Sequence, residues 1–144
     1  MVPADLEPAL VPELLVSDLT RSLSFWVGIC GFAVRYSRPE EGFAYITRNT
    51  AHVMLEQIGA GRNWITGALD SPLGRGVNFQ VSVPDCMKIA EALRAMGVEL
   101  FVEPETKWYR IDDHEAGVQQ FLGTDPDGYL IRFQSSGGHR DIAR

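Results

Sequence analysis

Four polar side chains sit at positions where alternation along predicted strands turns them away from the apolar face: Glu13, Glu56, Asn78 and Arg132. Two carboxylates, an amide and a guanidinium can bind charge and move protons. Arg132 can pair with Glu56 or with an acidic group on a ligand. Trp108 and Tyr109 follow the polar run Pro104-Glu105-Thr106-Lys107 and offer flat surfaces for stacking; the alternative is that they pack a module or dimer interface. Phe121 either extends the same wall or belongs to the ordinary core. Together, Trp108, Tyr109, Phe121 and Arg132 are expected to share one face of neighbouring strands and line a ligand cleft. His52 shares a face with Glu56, but four residues of strand separate their Cα atoms by about 13 Å, too far for one ion. His114 lies in the acidic turn Asp112-Asp113-His114-Glu115, and His139 lies in a polar tail. Ser17, Ser22 and Ser24 are accounted for by capping and helix surface. No catalytic residue can be named: nucleophile-elbow and phosphate-loop patterns are absent.

The elements that must position these residues come in two similar series. Leu10 to Ser17 reads as a strand with Leu14 and Val16 on one face, and Ser17 or Asp18 can cap the next helix. Leu19, Leu23 and Trp26 recur at helical spacing with Phe25 beside them, and Gly28 and Gly31 are stop signals. Strands follow at 32–36, 43–47 and 52–57. The series then restarts. Val77 to Val83 is a strand, Asp85 caps a helix with the stripe Ile89, Leu93 and Met96, and Gly97 ends it. Strands are expected at 98–102, 107–111 and 118–123. The chain then turns at Asp125-Pro126-Asp127-Gly128, where Pro126 presets φ and Gly128 takes a positive one. In the last strand Ile131 and Phe133 alternate with Leu130, Arg132 and Gln134. Strand–helix–three strands thus occurs twice, an internal duplication. The boundaries are about 9–58 for module one, 59–75 for a linker, 76–134 for module two and 135–144 for a polar tail without fixed structure. Trp64 and Ile65 suggest that the linker packs on something.

The 144 residues suit one domain or two small fused modules. A hydrophobic content of 45% supplies a core, and a net charge of −6 opposes nucleic acid as a partner. Acidity favours a cationic ligand instead. Cys30 and Cys86 lie outside any CxxC pattern and read as thiols of a reducing compartment, so the expected location is the cytoplasm. The N-terminal eight residues carry no secretion signal, and no apolar run is long enough to span a membrane.

The order of elements, with Asp125-Pro126-Asp127-Gly128 near the end, resembles the vicinal-oxygen-chelate superfamily, the group of glyoxalase I, bleomycin-resistance proteins and extradiol dioxygenases. The resemblance covers about residues 10–134. It implies an α+β fold, two tandem βαβββ modules forming a cupped mixed sheet within a single domain, often completed as a homodimer. Metal-using members take ligands from the first and last strand of each module. Carried over, those positions fall on Val11 (or Glu13 if the register slips), Glu56, Asn78 and Arg132. Only Glu56 of the best-register set is a good ligand, and a neighbouring guanidinium would repel a cation. The resemblance therefore implies no metal and no cofactor. It points to a small-molecule binding protein similar to the bleomycin-resistance members, sequestering a drug or metabolite in an aromatic-lined cleft. The alternative is a lyase, transferase or oxygenase of the same superfamily with an altered metal site.

Overall fold

The computed structural model describes residues 7–61 and 63–142. The sequence expectations for 1–6, Arg62 and 143–144 lie outside those residues. The chain divides into two compact units, one running to Asp70 and the other from Ser71.

In the first unit the strands are β1 (Glu13–Val16), β2 (Ala33–Arg38), β3 (Phe43–Arg48) and β4 (Ala51–Gln57), ordered β1-β4-β3-β2. β1 runs parallel to β4 and the other pairs are antiparallel. Between β1 and β2 the chain forms α1 (Leu19–Leu23) and continues into a π-helical stretch, Ser24–Ile29. Asp18 caps α1 by accepting from the Arg21 amide at 3.2 Å. The buried stripe is Ser22, Phe25, Trp26 and Cys30. Leu19 and Leu23 are only half-buried, because the large aromatic pair sets the phase. Ser22, expected on the helix surface, is therefore in the core. Trp26 packs edge-on against both Phe25 and Phe32, with centroids 5.8 and 5.2 Å apart. Leu14, Val16, Ala44, Ile46, Val53 and Leu55 complete the helix-side core.

The second unit repeats the plan. β5 (Asn78–Ser82), α2 (Cys86–Ala95), β6 (Val102–Ile111), β7 (His114–Thr124) and β8 (Leu130–Asp141) give the order β5-β8-β7-β6, with β5 parallel to β8. Asp85 caps α2. Cys86, Ile89, Ala90 and Leu93 are buried, whereas Met96 lies past the helix end and is 69% exposed. The turn after β7 forms as expected: the Asp125 carboxylate accepts from the Asp127 and Tyr129 amides at 3.0 and 2.9 Å, and Gly128 takes a φ of 97°.

Three expectations are corrected here. The separate strands at 98–102 and 107–111 are one strand, β6, that begins at Val102. β7 begins at His114 and so spans the residues read as an acidic turn, of which Asp112 and Asp113 form the bend. The tail at 135–144 is not loose, because β8 continues to Asp141 and pairs with β7 as far as His114. Ser-Ser-Gly-Gly has low strand propensity alone; a partner strand supplies the hydrogen bonds that override it.

Candidate functional site

In the first unit, two rows of side chains cross the sheet face that points away from α1. One runs Arg38, Phe43, Glu56, Leu15; the other runs Tyr36, Tyr45, Met54, Glu13. β3 makes this face aromatic, since Phe43 and Tyr45 alternate with the core residues Ala44 and Ile46. Tyr36 stacks on Tyr45 at 5.1 Å, and the Tyr45 hydroxyl meets His52 Nδ1 at 2.7 Å. The Arg38 guanidinium lies 4.0 Å over the Phe43 ring while its Nε donates to Glu41 at 2.6 Å. Arg35 sits 5.3 Å over Tyr45 and is bonded to Glu7.

On this face Glu13, Arg38, Glu41, Phe43, Glu56 and Trp64 enclose a cleft of about 400 Å³. Glu13 and Glu56 are within hydrogen-bonding reach of each other. Burial first, then the bond to Glu56 and its charge, hold the Glu13 carboxyl above the ordinary carboxylate range, with Arg38 opposing weakly. Glu56 itself is 8% exposed. The linker closes over it at Gly61, where a Cβ would land on the Glu56 carboxylate and come within 2.8 Å of the Glu41 carbonyl oxygen. Trp64 stands at the rim, 72% exposed.

The equivalent face of the second unit is built of amides. Asn78, Gln80 and Ser82 of β5, Arg132 and Gln134 of β8, Gln120 of β7, and Glu105 and Tyr109 of β6 share it. Arg132 Nη2 donates to Gln80 Oε1 at 2.6 Å, which is the hydrogen bond the structure gives this cation. Gln120 Nε2 donates to Glu105 at 2.9 Å and to the Tyr109 hydroxyl at 2.7 Å.

The shared aromatic wall expected in this unit does not form. Trp108 and Tyr109 are adjacent in β6 and so point to opposite faces. Phe121 pairs with Phe133 on the helix side, stacked at 5.4 Å and fully buried, while Arg132 points the other way with Tyr109. Trp108 shares the side of Phe121. It covers Gly117 across the strand pair, and Arg140 sits 4.0 Å over its ring. The aromatic surface that strand alternation does build is Tyr36, Phe43 and Tyr45 in the first unit. The signal for it was present in the sequence as the Phe-Ala-Tyr-Ile run.

A family model described as the Glyoxalase/Bleomycin resistance protein/Dioxygenase superfamily matches residues 9–133. The chain belongs to this superfamily. A superfamily member from Vibrio splendidus 12B01 is 37% identical, covering 86% of this chain and 94% of its own, with a TM-score of 0.40. TioX from Micromonospora sp. ML1 is 20% identical over 89% of this chain and 98% of its own, with a TM-score of 0.67. A glyoxalase/bleomycin resistance protein/dioxygenase from Alicyclobacillus acidocaldarius is 11% identical over 94% and 96%, with a TM-score of 0.60. The last two share the paired βαβββ fold. Curated proteins give no match.

Several members of the superfamily use a metal, and this chain's donors do not fit one. Glu13 and Glu56 turn their carboxyls toward each other, Asn78 offers a neutral amide, and Arg132 brings a cation to a ligand position. Among the described residues no three His, Cys, Asp or Glu side chains cluster in a way that could hold an ion. No described helix is long and apolar enough to cross a membrane.

Proposed function

We propose that this superfamily member is a small-molecule binding protein that works without a metal, sequestering a drug or metabolite as bleomycin-resistance proteins do. The observation that supports this reading is the first-unit cleft, where the Glu13–Glu56 carboxyls lie beside Phe43 and Trp64. A planar cation suits it. The carboxyl pair supplies countercharge, the rings supply stacking faces, and Arg38 is already neutralised by Glu41. Asn78 and Arg132 belong to a second polar surface, where the Arg132 guanidinium suits an anionic moiety of a small molecule. Tyr109 meets that surface through Gln120.

The working form is a homodimer in the cytoplasm with neither nucleic acid nor membrane as partner. The edge strand β2, whose Val34 on one face and Tyr36 on the other are 44% and 46% exposed, is the edge a second copy would cover. Sedimentation at micromolar concentration should show a dimer; a monomer contradicts this part.

The test of function is a thermal-shift screen of planar cationic compounds on metal-stripped protein, since a native-state binder raises Tm. Hits that survive chelator support the reading. Binding that appears only after metal is restored overturns it.

A second reading, a lyase, transferase or oxygenase with an altered site, draws on the raised Glu13 carboxyl. A carboxyl that holds its proton more tightly than usual, within reach of Glu56, is placed to hand over a proton. Turnover of a screening hit, lost in Glu13→Gln, would favour it.

A further inference from the structure

The first-unit cleft holds one cation of the protein's own. The Arg38 guanidinium lies 4.0 Å over the Phe43 ring, and its Nε donates to Glu41 at 2.6 Å. A ring takes the flat group by its face and a carboxylate takes it by its edge. The rest of the lining repeats these parts: Glu13 and Glu56 supply carboxyls, and Trp64 supplies an indole at the rim. Glu56 is the anchor. It is only 8% exposed, it lines the cavity of about 400 Å³, and no described backbone or side-chain N–H donates to its carboxylate. The polar group within its reach is another acid, Glu13, which stands diagonal to it because Leu15 lies opposite Glu56 in the β1–β4 pair. Two acids satisfy each other only by sharing a proton. Once that proton leaves, Glu56 is a buried acceptor with nothing to accept, beside a second negative charge. Arg38 does not relieve it, being committed to Glu41.

We propose that this cleft selects ligands carrying an amidinium or guanidinium group, held by its edge between Glu56 and Glu13 with the Trp64 indole covering its face. The inference rests on the planar-cation reading and narrows it to cations that donate hydrogen bonds. An amidinium points two N–H groups the same way, at the spacing of the two oxygens of one carboxylate, and keeps further N–H groups for a second acid. It therefore supplies the donors that Glu56 lacks and the charge that lets both acids ionise together. A flat cation without N–H brings the charge but leaves Glu56 without a donor. A neutral amide brings donors but leaves the two negative charges facing each other. A site whose buried polar group must be matched discriminates against a ligand that fails to match it.

The probe is benzamidinium, compared by calorimetric titration of the whole metal-stripped chain with two analogues of similar size. The cation 1,4-dimethylpyridinium keeps the charge without N–H, and benzamide keeps the donors without the charge. Benzamidinium should bind about tenfold or more tighter than either, the worth of a hydrogen bond to a charged group. Glu56→Gln should bring benzamidinium down to the level of dimethylpyridinium while leaving dimethylpyridinium within a few-fold of its affinity for the parent. Backbone spectra that overlay the parent's establish that the variant is folded; where Glu56→Gln does not fold, Glu13→Gln on the less buried partner carries the same expectation. Equal affinity for benzamidinium and dimethylpyridinium in the parent, or benzamidinium binding that the folded variant leaves unchanged, overturns the selectivity. Tight binding of dimethylpyridinium alone would overturn it and leave the planar-cation reading standing. Binding of neither cation would sink both, so the two failures are distinguishable.

Discussion

The two units share a strand order and a helix position, yet their outer faces carry different chemistry. In the first, Tyr36, Phe43 and Tyr45 sit beneath Arg35 and Arg38, with a carboxyl pair at one end. In the second, Asn78, Gln80, Gln120 and Gln134 surround Arg132. The helix-facing sides remain alike: Leu14 and Val16 of β1 are matched by Phe79 and Val81 of β5, and Val53 and Leu55 of β4 by Ile131 and Phe133 of β8, all buried except half-buried Phe79. A duplicated fold fixes which residues face the core and leaves the outward set open to change. One copy offers stacking and negative charge, and the other offers hydrogen bonds and positive charge.

The contrast can be broken most forcefully at Phe121. As a fully buried partner of Phe133 it should cost about 3–5 kcal/mol when changed to Ala, read by urea unfolding. Affinity per folded molecule should not change. If stability holds while binding falls, Phe121 faces the ligand after all. Gly61→Ala comes next. The added Cβ strikes Glu56, so overpacking of about 1–3 kcal/mol is expected together with weakened binding in the first-unit cleft. Wild-type binding in this variant would remove the Gly61–Glu56 contact from the account. Trp108→Ala should be milder, about 1 kcal/mol, because it loses a cation–π contact with Arg140 and the cover over Gly117.

The smallest effect is expected at Glu13. Its carboxyl holds its proton more tightly when folded, so ionisation costs the native state more than the unfolded one. The stabilisation is complete at low pH and is lost as pH rises through the folded titration. Glu13→Gln should therefore match the parent in Tm at acid pH. It should exceed the parent by about 1–2 °C at neutral pH, after allowing for solvent screening. A fall in Tm at neutral pH would show that the charged form is the stabilising one.

Much of this contrast was legible in the sequence. Strand alternation alone placed Glu13, Glu56, Asn78 and Arg132 on outward faces, and caps at Asp18 and Asp85 located both helices. Glu13 shares its face with Glu56 in the actual register, so the parity survived uncertainty about the strand start. The aromatic wall was misplaced because Trp108 and Tyr109 were grouped by proximity, although adjacent strand residues face opposite ways. Phe121 needed the pairing with Phe133, which only the β7–β8 register supplies. Trp64 sits in an irregular linker where no periodicity says what it lies beside. The strand at 135–141 depends on a tertiary partner that Ser-Ser-Gly-Gly does not announce.

On the proposed reading, the first unit's outer face binds a small molecule without a metal. Its most direct test is a fluorescence titration of metal-stripped protein with a planar cation from the screen, run in parallel on Trp64→Ala, Trp108→Ala and the parent. Saturable binding unaffected by chelator is expected, weakened by about 2 kcal/mol in Trp64→Ala and unchanged in Trp108→Ala. Equal affinity in Trp64→Ala and the parent, or binding that appears only when a divalent metal is added, would contradict it.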